Sequence, residues 1–305
     1  MSIRQLKIFL SVAKHGSLAG AAGEMGLTQA AVSLQMKALE ENLKTKLFDR
    51  SRRSIVLNAS SRNLIPQASE IVSLYESLPL SVDSKLIGGT MHIGAISATS
   101  TKILPDALLL LRKKHPRIDV RVVNGRSDEL ARQVENGDLD VALVSGSPAP
   151  LSKSLCWHLV TKDPLVLIAP RNMPVKSLAH ALSHAPFIRL SRTTWTGRVI
   201  ENALREKGLT PPFIMELDST DIVAGMVSRG LGVSVIPLDN GNWRNDLDLQ
   251  IFALRDFETQ RMLGLIERQN HGRTRLTEAF RESLASVRTN QGFSNKLRKI
   301  PFQTM

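Results

Sequence analysis

Apolar residues in the first fifth of the chain recur at helical spacing. Leu6, Phe9, Leu10 and Ala13 stand at i, i+3, i+4 and i+7, which predicts a first amphipathic helix over residues 4–14. The next stretch, Ser17 to Arg53, organises the rest. Ser17 is suited to cap a short helix, because its hydroxyl can accept an orphan N–H of the first turn. Gly26 stands where that helix should stop, and Thr28 offers a second N-cap. Val32, Met36, Leu39 and Leu43 then recur at steps of 4, 3 and 4, one apolar stripe. The other side of the same helix carries Gln29, Ser33 and Lys37. Two helices joined by a Gly-containing turn have the signature of a helix-turn-helix, whose second helix enters the DNA major groove. There Gln can pair with adenine, Ser can donate or accept, and Lys can reach guanine or phosphate.

Leu47 and Phe48 are placed to plug this small core. Arg50, Arg52 and Arg53 precede Ile55-Val56-Leu57, which reads as a basic wing entering a short strand, with its arginines near phosphates or a minor groove. From Ala59 the pattern is a long helix. Leu64, Ala68, Ile71, Tyr75 and Leu78 follow steps of 4, 3, 4 and 3, a short heptad seam that predicts pairing with a second copy. Pro66 lies inside it and allows a bend, and Ile87-Gly88-Gly89-Thr90 reads as a flexible joint.

Beyond Met91 strand-like runs alternate with helical ones. The predicted strands are Met91–Ile96, Asp119–Val123, Val141–Val144, Leu165–Ala169, Phe187–Leu190, Phe213–Leu217, Val233–Pro237, Ile251–Leu254 and Met262–Glu267. Helical spacing covers Ile103–Lys114, Asp128–Asn136, Val175–Ser183, Gly197–Lys207, Thr220–Arg229 and Thr277–Arg288. Such alternation predicts two parallel sheets with helices on both faces and a ligand cleft between them. The expected organisation is a head at 1–58 and a linker helix with hinge at 59–90. An α/β region follows at 91–290, divided into 91–162 plus 266–290 and 163–265, and then a basic tail at 291–305.

Composition sharpens this picture. The net charge of +12 favours polyanion partners. Residues 1–62 hold 10 Lys or Arg against 4 acids, half of that surplus in a fifth of the chain. The lone Cys156 rules out an internal disulfide framework and a Cys-rich zinc site. No apolar run approaches the length of a membrane span, and the N-terminus lacks the form of a signal peptide, so a soluble, cytoplasmic protein without membrane partners is expected. There is no nucleophile elbow, phosphate-cradling glycine loop or metal-ligand spacing. His180 and His184, four apart, have no acidic neighbour to complete a site. Neither catalytic residues, a metal nor a cofactor is expected.

With these residues laid out, the chain resembles the LysR-type transcriptional regulators over nearly its whole length. The head carries Phe9, Gly16-Ser17-Leu18, Ala21-Ala22, Leu27-Thr28-Gln29, Val32-Ser33, Leu39-Glu40 and Leu47-Phe48-x-Arg50. Further on stand Ile103-Leu104-Pro105, His115-Pro116, Gly137-x-Leu139-Asp140 and Gly230-Leu231-Gly232-Val233-x-Val235-x-Pro237. The resemblance implies an all-α winged helix-turn-helix, a dimerising linker and a two-subdomain α/β effector domain like a periplasmic binding protein. It also implies double-stranded promoter DNA as partner, a small effector in the cleft, and a homodimer or homotetramer. Gln29, Ala30 and Ser33 match the family's base-reading positions, and Arg50, Arg52 and Arg53 its wing. Ser97, Thr99 and Ser100, then Ser127, Thr194 and Ser219, fall at turns facing the cleft, where helix N-termini favour an anion. Arg126, Arg189 and Arg192 point the same way. The chain departs from the pattern at Lys44 (usually Gly), at Leu34 (often Arg) and at Asn58-Ala59-Ser60-Ser61 (usually Thr-x-x-Gly). The alternative is an enzyme or solute-binding α/β domain carrying an accessory DNA-binding head, and a further one is an adaptor whose cleft is filled.

Overall fold

The computed structural model describes residues 1–49, 56–81, 87–100, 103–238, 247–254 and 257–290. The head is built from α1 (Ile3–His15), α2 (Leu18–Met25) and α3 (Gln29–Leu43). Both expected caps form: the Ser17 hydroxyl accepts the Gly20 N–H at 3.1 Å, and Thr28 accepts that of Ala31 at 3.2 Å. Gly26 ends α2 at φ 63°, a left-handed turn that costs glycine nothing, and its N–H closes on Ala22 O. The buried face of α1 is wider than the predicted stripe. Ile8 and Val12 are buried while Leu10 and Ala13 are only half-buried, because α1 packs on α2, α3 and the linker helix at once. Leu47 and Phe48 close the core, with Phe48 tilted against Phe9 at 6.1 Å between ring centres. Glu40, buried in the second half of α3, accepts the Leu47 N–H at 2.8 Å and so pins the turn that follows. That turn keeps its left-handed form although Lys44 occupies it, at φ 50°. The strands β1 (Phe48–Asp49) and β2 (Val56–Leu57) pair antiparallel at the base of the expected wing.

The linker helix α4 (Ala59–Ser81) is capped by Asn58, whose Oδ1 accepts the Ser61 N–H at 2.9 Å. It does not present its whole seam outward. Ala68 is fully buried against the head, and Leu64 is half-buried there, since α1 lies along that side. The outward stripe is Ile71, Tyr75 and Leu78, each at least 40% exposed.

The predicted joint is not a hinge. Gly88, Gly89 and Thr90 belong to β3 (Gly88–Ala95) and pair with Arg117–Asp119 of β4 (Arg117–Asn124). The loss of backbone freedom is offset by ladder hydrogen bonds, and Gly88 lies directly against Arg117. Around these strands come α5 (Ser97–Ser100), α6 (Ile103–Lys114), α7 (Ser127–Asn136), β5 (Val141–Ser145), β6 (Leu155–Pro170), α8 (Leu178–His184) and β7 (Phe187–Leu190). Then follow α9 (Trp195–Glu206), β8 (Phe213–Leu217), α10 (Thr220–Ser228), β9 (Ser234–Pro237), β10 (Leu249–Ala253), β11 (Gln260–Arg268) and α11 (Thr274–Asn290).

Two lobes form, but their sheets are mixed, not parallel as predicted. β3 is parallel to β4 and β5, whereas β11 runs antiparallel to both β5 and β6. β6 is one long strand serving both lobes. Residues 155–164 pair with β11, and 165–170 pair with β9 and β10 in the other lobe. In the second lobe β7 and β8 are parallel, and Phe187 bridges to Val233 beside β9. Each lobe has its own apolar core, one around Ile93, Leu104, Leu265 and Phe280, the other around Leu167, Ile188, Val223 and Val235. No helix among the described residues is long and apolar enough to cross a membrane.

Candidate DNA-contacting face and inter-lobe cleft

Val32, Met36 and Leu39 anchor α3 to the head's core, so the opposite side of the helix is left to solvent. That side exposes Gln29, Ala30 and Lys37, with Ser33 half-buried beside them. Leu34 lies on it too and is 70% exposed. The α1–α2 packing that holds α3 in place is tied by Glu24, which accepts Lys14 Nζ at 2.6 Å and the Ser11 hydroxyl. These two hydrogen bonds, the Lys14 one first, bring its carboxyl down to about 2 against the opposing pull of burial. Arg50, Arg52 and Arg53 lie outside the described residues.

Between the lobes is a cleft of about 350 Å³. Ser97, Ser127, Thr194 and Ser219, predicted from opposite lobes, all line it. Their chemistry differs. The Thr194 hydroxyl is spent on its own chain, accepting the Gly197 N–H at 2.9 Å and donating to Ser191 O at 2.7 Å. Ser127 is buried, and its hydroxyl accepts the Ser145 N–H at 3.2 Å. Ser219 caps α10 without a side-chain hydrogen bond, and Ser97 is exposed in the cleft wall. Gly197 is required where α9 starts: a Cβ there would lie 2.0 Å from Ser191 O.

Thr99 and Ser100 do not line the cleft. Thr99 is fully buried and donates to Ile96 O at 2.9 Å, while Ser100 reaches Ile96 O at 3.1 Å and Asn124 Oδ1 at 2.5 Å. The single turn of α5 rotates both hydroxyls back onto its own start. Of the three arginines expected nearby, only Arg126 is a lining residue. Arg189 pairs with Glu216 and stacks 3.6 Å over the Phe213 ring, and Arg192 pairs with Glu201 at 3.1 Å.

Several contacts that spacing does not reveal join the lobes here. Arg126 of the first lobe donates to Thr193 O at 2.7 Å and to its hydroxyl at 3.2 Å. Ser145, at the end of β5, meets the Thr196 hydroxyl of α9 at 2.7 Å in a buried position. Trp195 of the second lobe enters an apolar cluster of the first with Leu130, Val144 and Ile266. The floor holds a buried ion pair, Arg261 Nε and Nη2 at 3.0 and 2.5 Å from Asp163 Oδ2. Arg126 also has Asp128 at 3.3 Å, so both guanidinium charges in the wall have a carboxylate beside them. Among the described residues no three His, Cys, Asp or Glu gather as a metal site.

Two family models divide the chain. Residues 3–62 match the bacterial regulatory helix-turn-helix protein, lysR family, and residues 84–288 match the LysR substrate binding domain. A curated relative, the "Probable RuBisCO transcriptional regulator" of Cyanophora paradoxa, is 28% identical over 98% of this chain and 96% of its own. Among solved structures, a full-length OxyR variant from Pseudomonas aeruginosa superposes with a TM-score of 0.74 at 18% identity, covering 93% of this chain and 94% of that one. The effector-binding domain of QuiR in complex with shikimate gives a TM-score of 0.60 at 18% identity, over 67% of this chain and 99% of that one. The head is thus a regulatory DNA-binding module and the two lobes a small-molecule-binding one. The chain belongs to the LysR family of transcriptional regulators.

Proposed function

We propose that this regulator reads its promoter through Gln29, Ala30, Ser33 and Lys37 of α3, with Arg50, Arg52 and Arg53 on the backbone. A small anionic effector in the inter-lobe cleft then changes the spacing of two heads joined through α4. The observation that carries the effector reading is the cleft itself. It takes hydroxyls from both lobes, Ser97 and Ser127 on one side and Ser219 on the other, and it is already bridged by Arg126–Thr193 and Ser145–Thr196. A ligand that touches both walls stabilises one lobe arrangement, and differential affinity of this kind is what shifts a two-state equilibrium. The domain limits proposed are a head at 1–58, a linker helix ending at Ser81, and an effector region that begins at β3. The Ile71, Tyr75 and Leu78 stripe supports a homodimer, from which a tetramer can be assembled.

The test is a footprint on the DNA upstream of the protein's own gene, over a salt series and with a panel of small carboxylates. A protected site of tens of base pairs, salt-sensitive and altered by one of them, is expected. Ser97→Arg and Ser219→Arg, which fill the cleft from opposite walls at unburied positions, should abolish the response and keep the footprint. Normal responses in both variants would remove the effector from the cleft.

A further inference from the structure

Leu34 is the most exposed of the large apolar side chains among the described residues. Single exposed apolar residues are ordinary on protein surfaces, and this one gains its meaning from its place. It stands two residues from both Val32 and Met36, the buried anchors of α3, hence about 200° around the helix from each at 3.6 residues per turn. It therefore points directly away from the head's core. Ala30 is four residues before it and Lys37 three after, so the three share one exposed face within two turns. Along the axis Leu34 is roughly 7.5 Å from Gln29, at 1.5 Å per residue. That keeps it in the half of the helix that approaches base edges in a helix-turn-helix.

The face around it is built for a duplex rather than for an apolar partner. Gln29 and Lys37 border it, and the head holds 10 basic residues against 4 acidic ones over residues 1–62. An apolar protein partner would need a contiguous patch, whereas the neighbours of Leu34 on this face are the small Ala30, Lys37 and the exposed Glu41. In the major groove one base presents an apolar group, the C5-methyl of thymine. We infer that Leu34 is a specificity-determining residue that seats a thymine methyl and so demands an A·T pair at one position of each half-site. This rests on the DNA-reading role proposed for α3. The contact removes from water both the methyl and a leucine side chain that is otherwise solvated, and this gain is lost at any base lacking the methyl.

Deoxyuridine provides the test, since it pairs as thymine does but lacks the methyl. Duplex sites are selected from a random pool by the full-length protein, and each thymine in the selected site is then replaced singly by deoxyuridine. One thymine per half-site is expected at which the replacement weakens wild-type binding roughly fourfold, the worth of about one buried methyl. The Leu34→Ala protein should bind the two duplexes equally at that position and keep its salt slope, because no phosphate contact is lost. The Leu34→Arg protein should select guanine there. Equal losses in wild type and Leu34→Ala at every thymine, or no loss anywhere, overturn the inference and leave the DNA-binding reading standing. Failure of the wild type to enrich any sequence overturns both.

Discussion

At the residue scale, strain and pH-dependent stability gather at two positions, Lys44 and Glu267. Lys44 is the one non-glycine with positive φ among the described residues, and a left-handed conformation costs an L-residue roughly 1–2 kcal/mol. Glycine removes that cost but loses more freedom on folding, so Lys44→Gly should stabilise the head by a net of about 0.5–1 kcal/mol. Urea unfolding checks this, and an unchanged midpoint would mean that the turn carries no strain. Glu267 is the second case. Burial pulls its carboxyl upward, but hydrogen bonds from His271 and Thr277 and the charges of Arg281 and His158 outweigh it and bring it to about 2. A carboxyl depressed from 4.5 contributes stability that is complete above its unfolded value and is lost as pH falls from there to about 2. The wild type should therefore lose roughly 3 kcal/mol more than Glu267→Gln over that window. Parallel acid-unfolding curves for the two proteins would contradict it. Little of this is legible in the sequence: Lys44 stands out as a departure from a pattern, whereas the partners of Glu267 come together only through β6, β11 and α11.

At the element scale, the helices were more legible than the strands. α6 was predicted to the residue, Ile103–Lys114, because its apolar positions keep helical period between clear breaks. In β6 only Leu165–Ala169, buried on both sides, has a strand-like pattern, and the earlier half, Leu155–Pro164, does not. That earlier half carries His158, Lys162 and Asp163 and faces a different neighbour. Glycines 88 and 89 suggested a joint because composition cannot tell a flexible pair from one clamped in a ladder. The seam of α4 shows the same limit, since periodicity finds a stripe and does not say what covers it. Ala68 went to the head, and Ile71, Tyr75 and Leu78 remain outward. Introducing Tyr75→Asp and Leu78→Asp together should convert a dimer to monomers in sedimentation at micromolar protein while the head's fold persists. A dimer that survives this change would move the interface to the lobes.

At the scale of the whole molecule, α4 links head and lobes physically as well as in sequence. Leu74 sits over Gly272, and the side chain of Ser69 lies beside Gly137 at the end of α7. Arg268, beneath that junction, donates to Val134 O at 2.6 Å and Leu139 O at 3.2 Å. A shift of the first lobe should therefore reach the linker through these contacts. The bridge from Arg126 to Thr193 should hold the lobes together before any ligand arrives, so Arg126→Ala should widen the unliganded protein in small-angle scattering. The size should return once the cleft is filled. An unchanged profile would leave the Ser145–Thr196 and Trp195 contacts as the whole of the closure.

The sequence encodes the three helices of the head and their ends, while the wing arginines Arg50, Arg52 and Arg53 lie outside the described residues. Caps, stop glycine, apolar stripe and the exposed face of α3 all arise from residues three or four apart, and backbone geometry converts such spacing directly into a surface. It also determined that strands and helices would alternate beyond Met91. Which strands run antiparallel, which hydroxyls turn toward the cleft and how the lobes close are set by packing across the fold. The deciding pairs, Ser145 with Thr196, Arg126 with Thr193 and Asp163 with Arg261, are 51, 67 and 98 residues apart. No local period encodes such distances. They are chosen by how whole elements pack, when each buried polar group must find a partner across the fold.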